Sequence, residues 1–503
     1  MIVKQTLSLF TLLLGIAGVT QAANATAFEG PYQANWESLQ KHECAPQWLR
    51  DAKFGIYWHW GVYSVPAFGN EWYPRKMYNP ESDVYRFHKA TYGDPQTFGY
   101  HDLVPLWQAP HFDPNRWADL CVQAGARFAG SIAVHHDNFL LWDSELSPWN
   151  SVQMGPNIDV VGESAKAIKA RGLKFFASFH HAWTSKYYEF AYRHAGASVG
   201  QHPGLYTEPW QGKEHVSSAY RDLWLNKVQE VITKYEPDML YFDWGLERLI
   251  DTPHHQALFA SYYNWAHSQQ KEVAITLQPG EIQKHTGLYD YTWRQPATIS
   301  NTPFTTDDTI AQGSWSYTKN MTLKSPHRLL TDLIDVISKN GIFLLNISPM
   351  ANGTIPADQQ KILIEIGQWL KQYGEAIYNT HPWSTYGEGP STTPTQALFV
   401  NRRKAPVEYT AQDIRYTQSK DNTVIYAIQL NISERHSPLV LHAFSLADRP
   451  KDLSIQKVQV LGSDPVEWRL TDQGLRISPP LPSSEHRVVV YQILVAENQS
   501  PAK

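Results

Sequence analysis

Cysteine is nearly absent: the 503-residue chain has two, Cys44 and Cys121. Neither belongs to a Cys-x-x-Cys pair, so thiolate metal centres and dithiol redox chemistry have no support. A Cys44–Cys121 disulfide and two buried thiols both remain open. The chain lacks a long basic run and carries a net charge of −5, which argues against nucleic acid as a partner. No His-Glu-x-x-His or comparable spacing offers a metal site. No second long apolar run follows the first, from about Leu7 to Val19, and that one is too short to span a bilayer. It follows a single lysine and precedes Ala22, Ala23 and Ala25. Residues 1–22 therefore read as an export signal, placing the mature protein in the periplasm or outside the cell.

Aromatics, by contrast, are plentiful at 13%, with 19 Trp and 27 Tyr. Most belong in a core, but flat apolar sugar faces also stack on such rings. Between about Lys53 and Trp383, short apolar runs alternate with amphipathic stretches of helical length. The runs are KFGIYWHW, RFAGSIAVHH, LKFFASFHH, DMLYFDW, EVAITLQ and GIFLLNISP. Near-continuous apolar strands separated by helices indicate parallel βαβ units. At least six of them suit a (β/α)8-like, TIM-type barrel over 23–383. A doubly wound sheet would carry a Gly-rich turn after its first strand, and none follows KFGIYWHW. Beyond a turn-rich linker, short alternating strands fill 384–503, read as a β-sandwich that packs rather than binds.

Titratable residues collect at successive strand ends. His59 and Trp60 close the first run, His135, His136 and Asp137 the second, His180 and His181 the third, and Asp243 the fourth. In a barrel that face carries the site, because the βα loops converge there. Neutral imidazoles suit sugar hydroxyls, as both donors and acceptors; a zinc hydrolase is the competing reading. Asp243, closing an apolar strand, needs a structural partner or a role. It is either the nucleophile of a retaining glycosidase or the cap of the next helix.

At these residues the chain resembles the α-L-fucosidases of glycoside hydrolase family 29. The resemblance runs from about Trp36 to Trp383. It is carried in order by FGIYWHWGVYSVPAFGNEWY, AVHHDNF, PDMLYFDWG, SKNGIFLLNISPMANGTIP and IGQWLKQYGEAIYNTHPW. It implies a retaining exo-hydrolase that releases L-fucose from fucosylated glycans without metal or organic cofactor. Asp243 matches the nucleophile. His59, Glu71, Trp72, His135 and His136 match residues that bind the sugar, and Trp315 matches a nearby aromatic. His180, His181 and Trp183 occupy the third strand end, where the family varies. The general acid/base departs from the pattern: the family's two glutamate positions fall at Thr292 and Thr305. Thr cannot supply a proton at neutral pH. Glu281, on the loop after the fifth strand, is the first candidate, with a solvated loop carboxylate as its plain alternative. Asp307 and Asp308 come next, then Asp251 and Asp290. Glu247 belongs to the following helix, and Glu272 sits at the wrong strand end. The missing glutamate leaves two alternatives: an α-L-galactoside hydrolase, or an impaired homologue that binds fucosylated glycans.

Overall fold

The protein is described here by a computed structural model covering residues 28–281, 283, 285–392, 399–401, 407–432, 438–451, 453–478 and 487–496. The expected export signal lies outside the described residues.

Eight strands form one parallel sheet: β1 Phe54–Trp58, β2 Phe128–Val134, β3 Lys174–Phe179, β4 Met239–Phe242, β5 Ala274–Leu277, β6 Leu288–Tyr289, β7 Phe304–Thr309 and β8 Gly341–Ile347. Their order is β6-β5-β4-β3-β2-β1-β8-β7. A parallel bridge between Asp290 and Thr305 joins β6 to β7, and the Tyr291 N–H donates to Thr305 O at 2.9 Å. The result is a nearly closed TIM-like barrel, as the alternation of strands and helices requires. The six apolar runs are β1–β5 and β8. The two strands added by the structure are the two-residue β6 and FTTDDT, which is buried throughout yet polar in sequence.

Along each strand alternate side chains face inward. Tyr57, Phe128, Ile132, Phe176, Met239, Tyr241, Ala274, Leu288, Ile342 and Leu344 fill the barrel. Their neighbours Ile56, Trp58, Phe175 and Leu240 pack outward with the helices. Those helices include Pro114–Gln123, Val160–Lys169, Ser218–Tyr235, Thr252–Ser268, Pro326–Ser338 and Ala357–Tyr373. Five start on side-chain caps that accept backbone N–H groups: Asp113, Asp159, Ser217, Asp251 and Ser325.

The C-terminal part holds two antiparallel sheets, five-stranded and three-stranded. Their strands are β9 Thr380–Glu388, β10 Ile414–Ser419, β11 Val424–Gln429, β12 Leu439–Leu441, β13 Ile455–Val460, β14 Glu467–Thr471, β15 Gly474–Ser478 and β16 Val489–Val495. The sheets share an apolar core around Trp383, Tyr416, Phe444 and Ile493. Two contacts are among several that fasten this part to the barrel. The Trp369 indole donates to Val488 O at 3.0 Å. Arg415 and Lys339 both pair with the carboxylate of Asp335 in a fully buried cluster. A two-stranded antiparallel ribbon also joins Arg294–Pro296 to Phe399–Asn401. Cys44 and Cys121 are both free thiols.

Candidate active site

The inward alternation continues one step past the apolar barrel core. Two residues beyond Tyr57 comes His59; beyond Ser178, His180; beyond Tyr241, Asp243. Thr276 leads to Gln278, Leu288 to Asp290, Thr305 to Asp307, and Leu344 to Asn346. The C-terminal mouth of the barrel is thereby polar on every one of these strands, while the layer beneath it mixes apolar residues with small hydroxyls. Above it lies a cavity of about 490 Å3. His59, Glu71, Trp72, His135, His136, His180, Asp243 and Trp315, all expected from the sequence, line it.

Three expected residues do not. His181 is buried against Trp224, with ring centroids 6.1 Å apart. Trp183 packs behind the wall, on Trp244 at 4.6 Å and Trp72 at 5.8 Å. Glu281 is turned away: its Oε2 accepts the Glu247 N–H at 2.9 Å, at the start of helix Leu246–Leu249. Glu281 thus performs the capping that was the alternative role for Asp243. Those backbone N–H groups lower the carboxyl, but burial outweighs them and raises it.

Asp243 instead faces two imidazoles. Its Oδ2 lies 3.1 Å from His180 Nδ1 and 3.4 Å from His136 Nε2. Burial alone would raise this carboxyl, but the two histidines outweigh it and hold Asp243 below the ordinary carboxylate range. His180 is fixed on its other side by Ser178 Oγ, 2.9 Å from Nε2. With Nδ1 donating to Asp243, Nε2 accepts the Ser178 hydroxyl.

His59 Nδ1 lies 2.8 Å from Asn346 Oδ1, which only accepts. The proton is therefore on Nδ1, and Nε2 keeps its lone pair. Asn346 is oriented in turn by donating to Thr309 Oγ1 at 3.0 Å and Trp315 O at 2.7 Å. Trp315 is held from its other side, its N–H donating to Glu71 Oε2 at 3.0 Å. Glu71, His59, Asn346 and Trp315 form one connected frame, and burial raises the Glu71 carboxyl. Stacked aromatics form a further wall: Trp72 lies 5.9 Å from Trp244 at an interplanar angle of 12°.

Burial and the neighbouring His180 push His59 down to about 3, so it stays neutral at every pH above that. In NMR spectra of histidine-labelled protein, its ring resonances are expected to hold neutral-imidazole shifts from pH 8 down to pH 5. A titration midpoint near the ordinary 6.5 would mean the cavity floor is open to water.

Among the described residues, two groups have metal-ligating composition: His59, His135 and His180, and His136, His180 and Asp243. Both rely on His180, whose ring nitrogens are taken by Asp243 and Ser178. In the second group, imidazole N–H groups already occupy the carboxylate. These are hydrogen-bonding sets, which matches the sugar-recognition reading of the histidines better than zinc.

The sequence reading missed Asn70, Tyr241, Trp244, Gln278, Trp293 and Arg294 on the cavity wall, and Asn346 behind it. Period-two stepping from the apolar core would have found Gln278 and Asn346. Trp293 carried no such signal. Its backbone is left-handed, with φ 55°, uncommon for a bulky residue.

The family model for α-L-fucosidase matches residues 19–375, and that for the α-L-fucosidase C-terminal domain matches 408–494. The tissue α-L-fucosidase of Rattus norvegicus is 30% identical over 415 residues, 80% of this chain and 81% of that protein. An α-fucosidase of Thermotoga maritima, solved with a mechanism-based inhibitor, superposes with a TM-score of 0.73 at 26% identity. The match covers 92% of this chain and 100% of that one. A Thermotoga maritima α-L-fucosynthase carrying an Asp-to-Gly exchange superposes with a TM-score of 0.74 at 27% identity, covering 93% and 100%. With the barrel, the polar strand ends and both domain matches in agreement, the chain belongs to the α-L-fucosidases, glycoside hydrolase family 29.

Proposed function

We propose that the protein releases L-fucose from α-L-fucosides with retention, through a covalent ester between the anomeric carbon and Asp243. The observation that carries this reading is the state of Asp243: an ionised carboxylate at a barrel strand end, facing the cavity and aligned by His136 and His180. An attacking carboxylate has to be charged and held still. The fucosynthase relative supports the same reading, since synthases of this kind arise when the nucleophilic carboxylate is removed.

His59, His135, His136 and His180, all neutral or hydrogen-bonded, are suited to ring hydroxyls. Trp72, Trp244 and Trp315 offer planes for apolar sugar faces. Trp293 and Gly313 also line a neighbouring cavity of about 760 Å3, which gives the remainder of a fucosylated glycan room beyond the fucosyl site. Export rests on the 1–22 segment alone. Among the described residues no helix is long and apolar enough to cross a membrane.

The test is chemical trapping. A 2-deoxy-2-fluoro-L-fucosyl fluoride is expected to inactivate the enzyme in a time-dependent way and to leave a label on the peptide containing Asp243. The anomeric configuration of the first product, read by NMR, is expected to be α. A β first product would establish inversion and end the covalent reading.

A further inference from the structure

The two threonines that stand where the family pattern has glutamate do not leave the site without an acid. Both hold one buried carboxyl. Thr305 Oγ1 donates to Asp290 Oδ1 at 2.9 Å, and Thr292 Oγ1 donates to Asp290 Oδ2 at 2.9 Å. The Asp307 N–H donates to the same Oδ1 at 3.1 Å. Asp290 lies against the carboxyl of Asp307. Asp307 Oδ2 accepts the hydroxyls of Tyr57 at 2.8 Å and Tyr241 at 3.2 Å, whereas its Oδ1 is buried without a donor.

Three carboxyls line the cavity: Glu71, Asp243 and Asp307. Asp243 is the ionised one. Glu71 accepts backbone N–H groups, among them that of Trp315, which partly offset the rise that burial imposes on its carboxyl. Asp307 differs from both, because its neighbour is a second carboxyl. Two buried carboxyls in contact cannot both ionise, and they share one proton. Burial raises both; the Asp307 charge adds to this at Asp290, while the hydrogen bond from Asp290 partly offsets it at Asp307.

We propose that Asp307 is the general acid/base of this site, with Asp290 as the positioning residue that shares its proton. This rests on Asp243 being the nucleophile. In the first step Asp243 attacks the anomeric carbon, and the C1–O bond to the leaving group breaks. Its electron pair goes to the leaving oxygen, which takes the proton from the Asp307–Asp290 pair. In the second step water attacks C1 of the ester. Its proton returns to the pair, and the C1–O electron pair goes back to Asp243.

The experiment uses the full-length enzyme, Asp307→Asn and Asp307→Ala, and aryl α-L-fucosides of graded leaving-group acidity. Loss of acid assistance is expected to cost about 10^2- to 10^4-fold in kcat/KM with phenyl or 4-methoxyphenyl leaving groups. With 2,4-dinitrophenyl, which needs no proton, the loss is expected to stay below about tenfold. Azide is expected to speed the dinitrophenyl reaction and give α-L-fucosyl azide, since it replaces water in the second step. Equal losses across the series, no response to azide, or the same leaving-group split in Glu281→Gln would each overturn the assignment. The Asn variant preserves shape, so a folding failure confined to Ala does not confuse the result. Trapping on the same preparation separates the two readings. Label on Asp243 with no leaving-group split in Asp307→Asn overturns the acid/base alone; label elsewhere overturns the nucleophile.

Asp290→Asn keeps the contact but removes the shared charge. The groups facing Asp307 are Asp290, Tyr57, Tyr241 and Asp243. In the pair the last proton is held by two carboxyls whose charges oppose each other; with one of them neutral that opposition is gone, so the alkaline limb of kcat/KM is expected to move to lower pH. A limb that stays in place while the rate falls would make Asp290 merely structural.

Discussion

Replacing Asp243 by alanine is expected to lower kcat/KM on aryl α-L-fucosides by about 10^4-fold or more, roughly 5 kcal/mol of transition-state stabilisation. Loss of the proposed nucleophile removes the first step itself, so the deficit should not depend on the leaving group. Azide fits the space vacated by the carboxylate and attacks from the same side, so the expected product is β-L-fucosyl azide. Its configuration is opposite to the azide expected from the Asp307 variants, and the two therefore report different steps. Asp243→Asn should be equally slow, although its side-chain oxygen can still accept from His136 and His180. That comparison separates loss of the nucleophile from collapse of the histidine frame. A fall of less than tenfold in either variant would remove Asp243 from the chemistry.

The largest effect on stability is expected from Asp335. Its carboxylate accepts from Arg415 on β10, from Gln295 beside the cavity wall, and from Lys339 at 3.1 Å. Arg415, Lys339 and Asp335 are exposed by 1%, 3% and 1%. Burial lowers the Lys339 amine well below its ordinary value, and Arg415 adds to this. Deleting the central carboxylate strands the buried Arg415 cation and leaves the Lys339 amine without its acceptor, which costs about 3–5 kcal/mol where one partner of a buried pair is removed. Asp335→Ala is therefore expected to unfold at clearly lower urea concentration than the parent. Asp335→Asn keeps an acceptor and should lose less. A change below about 1 kcal/mol in Asp335→Ala would mean that water reaches the cluster and screens it.

How much of this was legible from the chain depended on whether polarity and position agreed. Barrel strands β1–β5 and β8 announce themselves because strands covered on both faces are apolar throughout. FTTDDT does not, although it is just as buried, because its polar side chains find partners elsewhere in the fold: Thr305 on Asp290, Asp307 on Tyr57 and Tyr241, and Asp308 on Lys324. The same cause hid the importance of Asp307. In sequence it is one of two adjacent aspartates in a polar run. Only the barrel's closure between β6 and β7 sets it against Asp290. His59, His135, His136 and Asp243 could be found because each ends an apolar run. His181 ends one too, yet lies one step out of the inward alternation and turns to Trp224. Glu281 is ambiguous for a different reason: a loop glutamate near the strand of the proposed nucleophile suits a cap as well as a proton donor. Local sequence does not distinguish the two.

The ribbon between Arg294–Pro296 and Phe399–Asn401 bears on how such an enzyme can diverge. Arg294 lines the cavity, Gln295 reaches the Asp335 cluster, and the opposing strand belongs to the C-terminal half of the chain. One side of the sugar site is thus backed by chain encoded more than a hundred codons downstream. Recombination that exchanged the C-terminal half for a relative's would replace that backing strand along with it. Substitutions there can then retune which glycan is accepted without altering a single barrel residue, and the two halves are constrained to evolve as one heritable unit.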